Sequence, residues 1–171
     1  SENKITRYGF ALIATVGTIQ SAIVIDNHLA SQANSLITTL GSEVTATSIT
    51  ATDNEGQLGG VFGCEGFSFL TIRDSVIRNN SAMYGGAIYA YENCHLSIDS
   101  VEIDHCSAST DGGAIWASGY SSGTITNSNI TNNIASNGGG GITLQSFASM
   151  NISNILFQKN QAITGGALLI G

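Results

Sequence analysis

Apolar and polar positions along this chain fall into columns that repeat every 26 or 27 residues. The clearest copy runs Ile77-Arg78-Asn79-Asn80-Ser81-Ala82 and closes on Gly85-Gly86-Ala87-Ile88. It returns as Ile103 to Ala108 with Gly112-Gly113-Ala114-Ile115, and as Ile130 to Ala135 with Gly140-Gly141-Ile142. A further copy is Phe157 to Ala162 with Gly165-Gly166-Ala167-Leu168. A weaker one is Ala51-Thr52-Asp53-Asn54 with Gly59-Gly60-Val61-Phe62, and the weakest starts at Val24 and has no glycine pair. The anchors stand at 27, 54, 80, 106, 133 and 160, so the steps are 27, 26, 26, 27 and 27 residues. A fixed period of this length marks a repeat architecture.

Within each copy the apolar positions are spaced for strands. Three residues before the anchor stand Val24, Ala51, Ile77, Ile103, Ile130 and Phe157, and eight before stand Ile19, Ala46, Ile72, Ile98, Ile125 and Ile152. After the anchor, Phe62, Ile88, Ile115, Ile142 and Leu168 are followed two residues on by Cys64, Ala90, Ala117, Leu144 and Ile170. Steps of two put alternate side chains on one face of a strand. The step of three between the minus-eight and minus-five columns breaks the alternation and predicts a bend. Each copy reads as three short strands joined by turns, with glycines where the backbone bends sharply or approaches closely.

A strand-only repeat this short cannot bury its own apolar face. It does so when copies stack as the coils of a parallel right-handed β-helix, with like columns roughly 4.8 Å apart. The expected fold is all-β, a solenoid of about six coils over residues 1–171, irregular over 1–40 and regular over 41–171. Asn27, Asn54, Asn80, Asn133 and Asn160 then form an asparagine ladder at one corner, interrupted by Cys106. The same column used only as turn formers is compatible with the same fold. Gly9-Phe10-Ala11-Leu12 is similar to the closing strand of an earlier copy, and the chain ends on such a strand. The expectation is a segment of a longer repeat protein, with open coil ends that permit end-to-end association into fibres.

Phe157-Gln158-Lys159-Asn160 followed by Gly165-Gly166-Ala167-Leu168 resembles the paired FxxN and GGA[ILV] repeats of polymorphic outer membrane proteins. The resemblance runs from about residue 19 to the end and is strongest over 70–171. Ile77, Ile103 and Ile130 stand where the repeat has Phe, Cys106 stands where it has Asn, and no membrane barrel accompanies the segment. It implies a β-helical stalk, secreted or displayed on a cell surface, that mediates adhesion or self-association.

Composition narrows the function classes. Proline is absent and 10 % of residues are charged, while 42 % are apolar, which suits neither a helix bundle nor a disordered chain. Five basic residues and a net charge of −7 argue against nucleic acid as a partner. No apolar run approaches the roughly 20 residues of a membrane-spanning helix. Expected partners are copies of the chain, other surface or extracellular proteins, or glycans.

Chemistry-bearing residues are few. Parallel β-helices also carry polysaccharide lyases and hydrolases, so a pectate lyase-like enzyme or polysaccharide binder is the alternative function. Its site would need clustered carboxylates and a base or Arg. Stacking sets Arg73 beside Asp99 and Arg78 beside Asp104, which reads as cross-strand ion pairing. The insertions Tyr91-Glu92-Asn93 and Ser118-Gly119-Tyr120 are short and nearly uncharged, so no catalytic site is expected. His28, His95 and His105 share no column, and no cofactor or metal is expected. Of three cysteines, Cys64 and Cys94 lie on adjacent coils where a disulfide is conceivable but not demanded, and Cys106 reads as inert and half-buried.

Asn79, Asn129 and Asn151 open Asn-x-Ser/Thr triplets in outward columns and are candidate N-glycosylation sites. Tyr89 and Trp116 follow inward isoleucines on adjacent coils. They read either as a surface contact for a sugar ring or an apolar side chain, or as rings covered by a loop. The Thr-Ala-Thr runs near 45–52 are similar to ice-binding rows but do not recur from coil to coil. The overall expectation is a passive structural or adhesive module, not an enzyme.

Overall fold

The computed structural model describes residues 3–6, 12–28 and 35–171. Over these residues the chain winds into a parallel β-solenoid of about five turns, one fewer than the anchor count suggests. The early strands are β1 (Asn3–Thr6), β2 (Leu12–Gln20), β3 (Ala22–Ile25), β4 (Ile37–Thr47), β5 (Thr50–Thr52) and β6 (Phe62–Glu65). The next two coils hold β7 (Phe69–Arg78), β8 (Ser81–Ala82), β9 (Ile88–Tyr91), β10 (His95–Asp104), β11 (Ser107–Ala108) and β12 (Ile115–Ala117). The last strands are β13 (Ser122–Thr131), β14 (Ile134–Ala135), β15 (Ile142–Leu144), β16 (Ser149–Gln158) and β17 (Leu168–Ile170).

Every ladder is parallel and in the register the columns predict. Ile72 lies beside Ile98, Ile98 beside Ile125 and Ile125 beside Ile152. Ile77, Ile103, Ile130 and Phe157 form a second stack, and Phe62, Ile88, Ile115, Ile142 and Leu168 a third. Ile72, Ile77, Ile88, Ile115, Ile125 and Ile130 are fully buried, and each contributes about 1.5–3 kcal/mol by leaving water. The first turn holds a copy of the closing strand that the glycine pattern hides. Ile37 pairs with Phe62, and Ser35-Leu36 stand where later coils have glycine and a small residue. Leu12 pairs in turn with Ile37, in line with the earlier copy expected there; Gly9, Phe10 and Ala11 lie outside the described residues.

The bend predicted between the minus-eight and minus-five columns lies at one residue per coil. Ser48, Asp74, Ser100, Asn127 and Asn154 all have positive φ, between 48° and 56°. A second bend falls just before the anchor, at Asp53, Asn79, His105, Asn132 and Lys159, with φ between 52° and 57°. Short polar side chains tolerate this left-handed conformation best, which explains the Asn, Asp and Ser content of the chain.

Inside the first bend, serine solves a hydrogen-bonding problem. The backbone N–H of Ile49 donates to Ser75 Oγ at 3.0 Å, and that of Val101 to Ser128 Oγ at 3.0 Å. From Ile49 onward the minus-five column alternates apolar and Ser (Ile49, Ser75, Val101, Ser128, Ile155), each buried serine serving the coil before it.

Candidate functional site

The asparagine column is a buried hydrogen-bonded ladder. Asn27 donates through its backbone N–H and its amide to Asn54 Oδ1, at 3.1 and 2.9 Å. Asn54 does the same to Asn80 Oδ1, and Asn133 to Asn160 Oδ1. Each side chain also caps a strand carbonyl on the preceding coil: Asn54 that of Val24, Asn80 that of Ala51, Asn133 that of Ile103 and Asn160 that of Ile130. Cys106 keeps one half of the pattern, its N–H donating to Asn133 Oδ1 at 2.8 Å. Its sulfur lies 3.6 Å from the Asp104 carbonyl, 3.8 Å from the Ile77 carbonyl and 3.9 Å from Asn80 Nδ2. Cys106 is fully buried rather than half-buried, and burial pushes its thiol up to about 12. A thiol held protonated in this way is a poor nucleophile.

The other two cysteines form a disulfide, Cys64–Cys94, with Cα atoms 5.8 Å apart and both residues buried. It ties adjacent coils across 30 residues of chain. In Cys64→Ala/Cys94→Ala, alanine at 64 continues the column of Ala90 and Ala117. The unfolding free energy should fall by about 3–4 kcal/mol on loop-closure grounds. Chemical denaturation of the two proteins side by side reads this, and a fall below about 1 kcal/mol would mean that the stacks alone hold these coils.

The arginine–acid pairs sit in the expected register, Arg73 beside Asp99 and Arg78 beside Asp104, but the side chains choose other partners. Arg78 bonds Glu102 at 2.6 Å. Asp99 Oδ1 accepts from Thr126 Oγ1 and Asn127 Nδ2 on the following coil, both at 2.8 Å. Asp104 Oδ1 accepts from Thr131 Oγ1 at 2.6 Å and Asn132 Nδ2 at 2.7 Å. A Thr-Asn pair supplies two short donors at the bend, which a long arginine does less well. Hydrogen bonds from Asn127 and Thr126 hold the Asp99 carboxyl below its usual range. For Asp104, burial acts upward, but the bonds from Thr131, Asn132 and His105 outweigh it and the net direction is downward. These carboxylates are ionised acceptors, poorly suited to donate a proton near neutral pH.

The histidines remain apart. His28 pairs with Glu55 at 3.0 Å, which raises its affinity for a proton. His95 Nδ1 lies 3.2 Å from Ser122 Oγ, and His105 Nδ1 lies 2.7 Å from Asp104. Among the described residues no group of three or more His, Cys, Asp or Glu side chains could hold a metal ion. Nor is any helix among them long and apolar enough to cross a membrane.

Tyr89 and Trp116 do not form the open surface contact that their outward column suggested; the covered arrangement holds. They are 7 % and 8 % exposed. Their rings stack on each other at 4.9 Å and 8°, while Tyr84 and Tyr91 lie over Trp116 at 5.2 and 6.2 Å. Burial, then the nearby Glu65, pushes the Tyr89 hydroxyl upward. The pair is a packed aromatic cluster on the flank of the solenoid. Asn79, Asn129 and Asn151, in contrast, are all exposed. An open groove of about 660 Å3 crosses the face of β8, β11 and β14, lined by residues such as Glu55, Gln57, Met83, Ser107 and Ile134.

What the columns missed is the corner that follows the closing strand. The segments around 91–93 and 118–120, read above as insertions, are tight turns in register with those at 66–67 and 146–147; Phe67, Tyr120 and Phe147 are exposed there, whereas Tyr91 is half-buried against Trp116. Aligning coils on this turn, 13 or 14 residues after the anchor, would have found them.

Residues 60–169, well over half of the chain, match the family described as right handed beta helix region. The chain therefore belongs to the right-handed β-helix proteins. Neither the comparison with curated proteins nor that with solved structures finds a match.

Proposed function

We propose that this chain is a structural or adhesive β-helix module of a secreted or cell-surface protein, and not an enzyme. The observation that carries the reading is the buried Cys64–Cys94 disulfide. Such bonds form and persist in oxidising, extracellular settings. The exposed Asn-x-Ser/Thr triplets at Asn79, Asn129 and Asn151 suit the same setting in a host that attaches N-glycans. The FxxN and GGA[ILV] repeats, with their likeness to polymorphic outer membrane proteins, support a surface stalk. The carboxylates of Asp99 and Asp104, tied up by Thr-Asn pairs, support a passive role. The stacked coils form a stiff rod whose outer columns meet partners, which are copies of itself, other surface proteins or glycans.

The test uses intact cells of the native source, probed with an antibody to the folded chain, before and after surface proteolysis. The expected result is a signal on unbroken cells or in the medium, removed by protease, from a protein lighter by two hydrogen atoms than its fully reduced mass. A signal found only after lysis, from a fully reduced protein, would overturn the reading. Incubation with neutral and acidic polysaccharides should release no reducing ends or unsaturated products.

A further inference from the structure

Two asparagines stand inside strands with nothing in the fold to account for them. Asn129 lies in β13 and Asn151 in β16, both exposed and neither with a positive φ. Asparagine is a poor strand former. Asn151 continues a column of Thr45, Thr71, Ser97 and Thr124, in which threonine suits the strand better. Asn129 stands in register between Glu102 and Leu156.

Elsewhere in the chain asparagine has a structural reason. The ladder residues donate to one another at a buried corner. Asn127, Asn132 and Asn154 sit at left-handed bends and donate to Asp99, Asp104 and Asn127. Asn137 donates to Asp111, and Asn93 holds a left-handed turn at φ 61°. Asn79 also has a left-handed backbone, with φ of 53°, at the bend that ends β7. Asn129 and Asn151 have neither reason, and their side chains make no hydrogen bond among the described residues. What they share is the residue two places on, Thr131 and Ser153, so each opens an Asn-Ile-Ser/Thr triplet. Asn127 and Asn154, in the same two strands, open none. The asparagines that the fold does not use are the ones in acceptor triplets.

We infer that Asn129 and Asn151 carry N-linked oligosaccharides. The inference rests on the secreted or surface-module reading and adds a covalent modification to it. The transfer joins the asparagine Nδ2 to the anomeric carbon of an oligosaccharide carried on a lipid diphosphate. The sugar–phosphate bond breaks, the lipid diphosphate leaves, and the amide gives up one proton. The two sites lie on consecutive coils, on either side of the left-handed bend at Asn127 and Asn154. Leu156, 49 % exposed, is the register partner of Asn129, and the first sugars would lie over it. The glycans would thus cover the wall of β13 and β16 and leave the groove over β8, β11 and β14 open.

The test is peptide mass spectrometry of the chain purified from its native source, before and after enzymatic release of N-glycans. Both peptides should carry hexose and N-acetylhexosamine mass, and release should leave aspartate at positions 129 and 151. Secreted from the same cells, Asn129→Gln and Asn151→Gln should each lose one glycan. Ser153→Ala should lose the glycan of Asn151 while keeping the asparagine itself. Ser153 is exposed, with no hydrogen bond among the described residues, so this variant should fold as the parent does. A bare asparagine at either position, sugar at Asn79 alone, or a glycan retained in Ser153→Ala would overturn the inference. A chain displayed on intact cells with both asparagines bare loses this inference alone, whereas a reduced intracellular chain loses the module reading.

Discussion

Gly113→Ala should lower the unfolding free energy by about 3–5 kcal/mol. A Cβ at Gly113 would lie 2.1 Å from the carbonyl oxygen of Gly140 on the next coil, and 2.8 Å from backbone atoms of Ile134. Gly60 and Gly86 meet the same obstacle, each 2.2 Å from the carbonyl oxygen of the next glycine in the column. The obstructing atoms are backbone, locked in a ladder on both sides, so no rotamer change relieves the clash. The neighbour before it, Gly112, is required for a different reason, its φ of +71°. Gly17→Ala is the control, since a Cβ there meets nothing within 4 Å, and it should change stability by less than about 0.5 kcal/mol. Denaturant unfolding compares the three proteins. Hydrogen exchange should show the loss of Gly113 first at the amides of Ile115 and Ile142, because repeat arrays transmit damage mainly to neighbouring coils.

Asn133→Ala should cost a similar amount, about 3–5 kcal/mol, for an electrostatic rather than a steric reason. The substitution strips the Cys106 N–H of its 2.8 Å acceptor. It also takes the amide donor from the Ile103 carbonyl, at 3.1 Å, and one of the two donors from Asn160 Oδ1, which keeps the backbone N–H of residue 133. These groups lie at a buried corner, and each unsatisfied one costs about 1–3 kcal/mol, not fully additively. Asn129→Ala, at an exposed position, should cost under about 0.5 kcal/mol. The converse change, Cys106→Asn, completes the ladder and should raise stability by about 1 kcal/mol. Equal losses at positions 129 and 133 would mean that the ladder is not a distinct source of stability.

The sequence carried the fold almost completely, because a solenoid writes each contact of one coil again in the next. The apolar columns at Ile72, Ile77 and Ile88 could be read without knowing where any strand ended, and stacking was the only way to bury them. The asparagine ladder was legible for the same reason. So was the bend before the minus-five column, where a break in alternation coincides with Ser, Asp or Asn. The first turn was harder to read, since Ser35-Leu36-Ile37 fills a place that glycines mark elsewhere, and the spacing to the anchor differs there.

The surface was less legible. Period and alternation state which side chains point outward, but not what then covers them or which neighbour they choose. Tyr89 and Trp116 lie on an outward column, yet Tyr84 and Tyr91 bury them. Arg73 and Arg78 face acids in register, yet Thr126-Asn127 and Thr131-Asn132 take Asp99 and Asp104. The exposed rings of Phe67, Tyr120 and Phe147 escaped the columns because their offset from the anchor shifts by one residue between coils. Repetition along the chain determined the backbone, the core and the ladder, since those rest on contacts between identical positions. Only the tertiary structure decided burial, pairing and exposure on the outer face, since those depend on contacts between unlike positions that no period encodes.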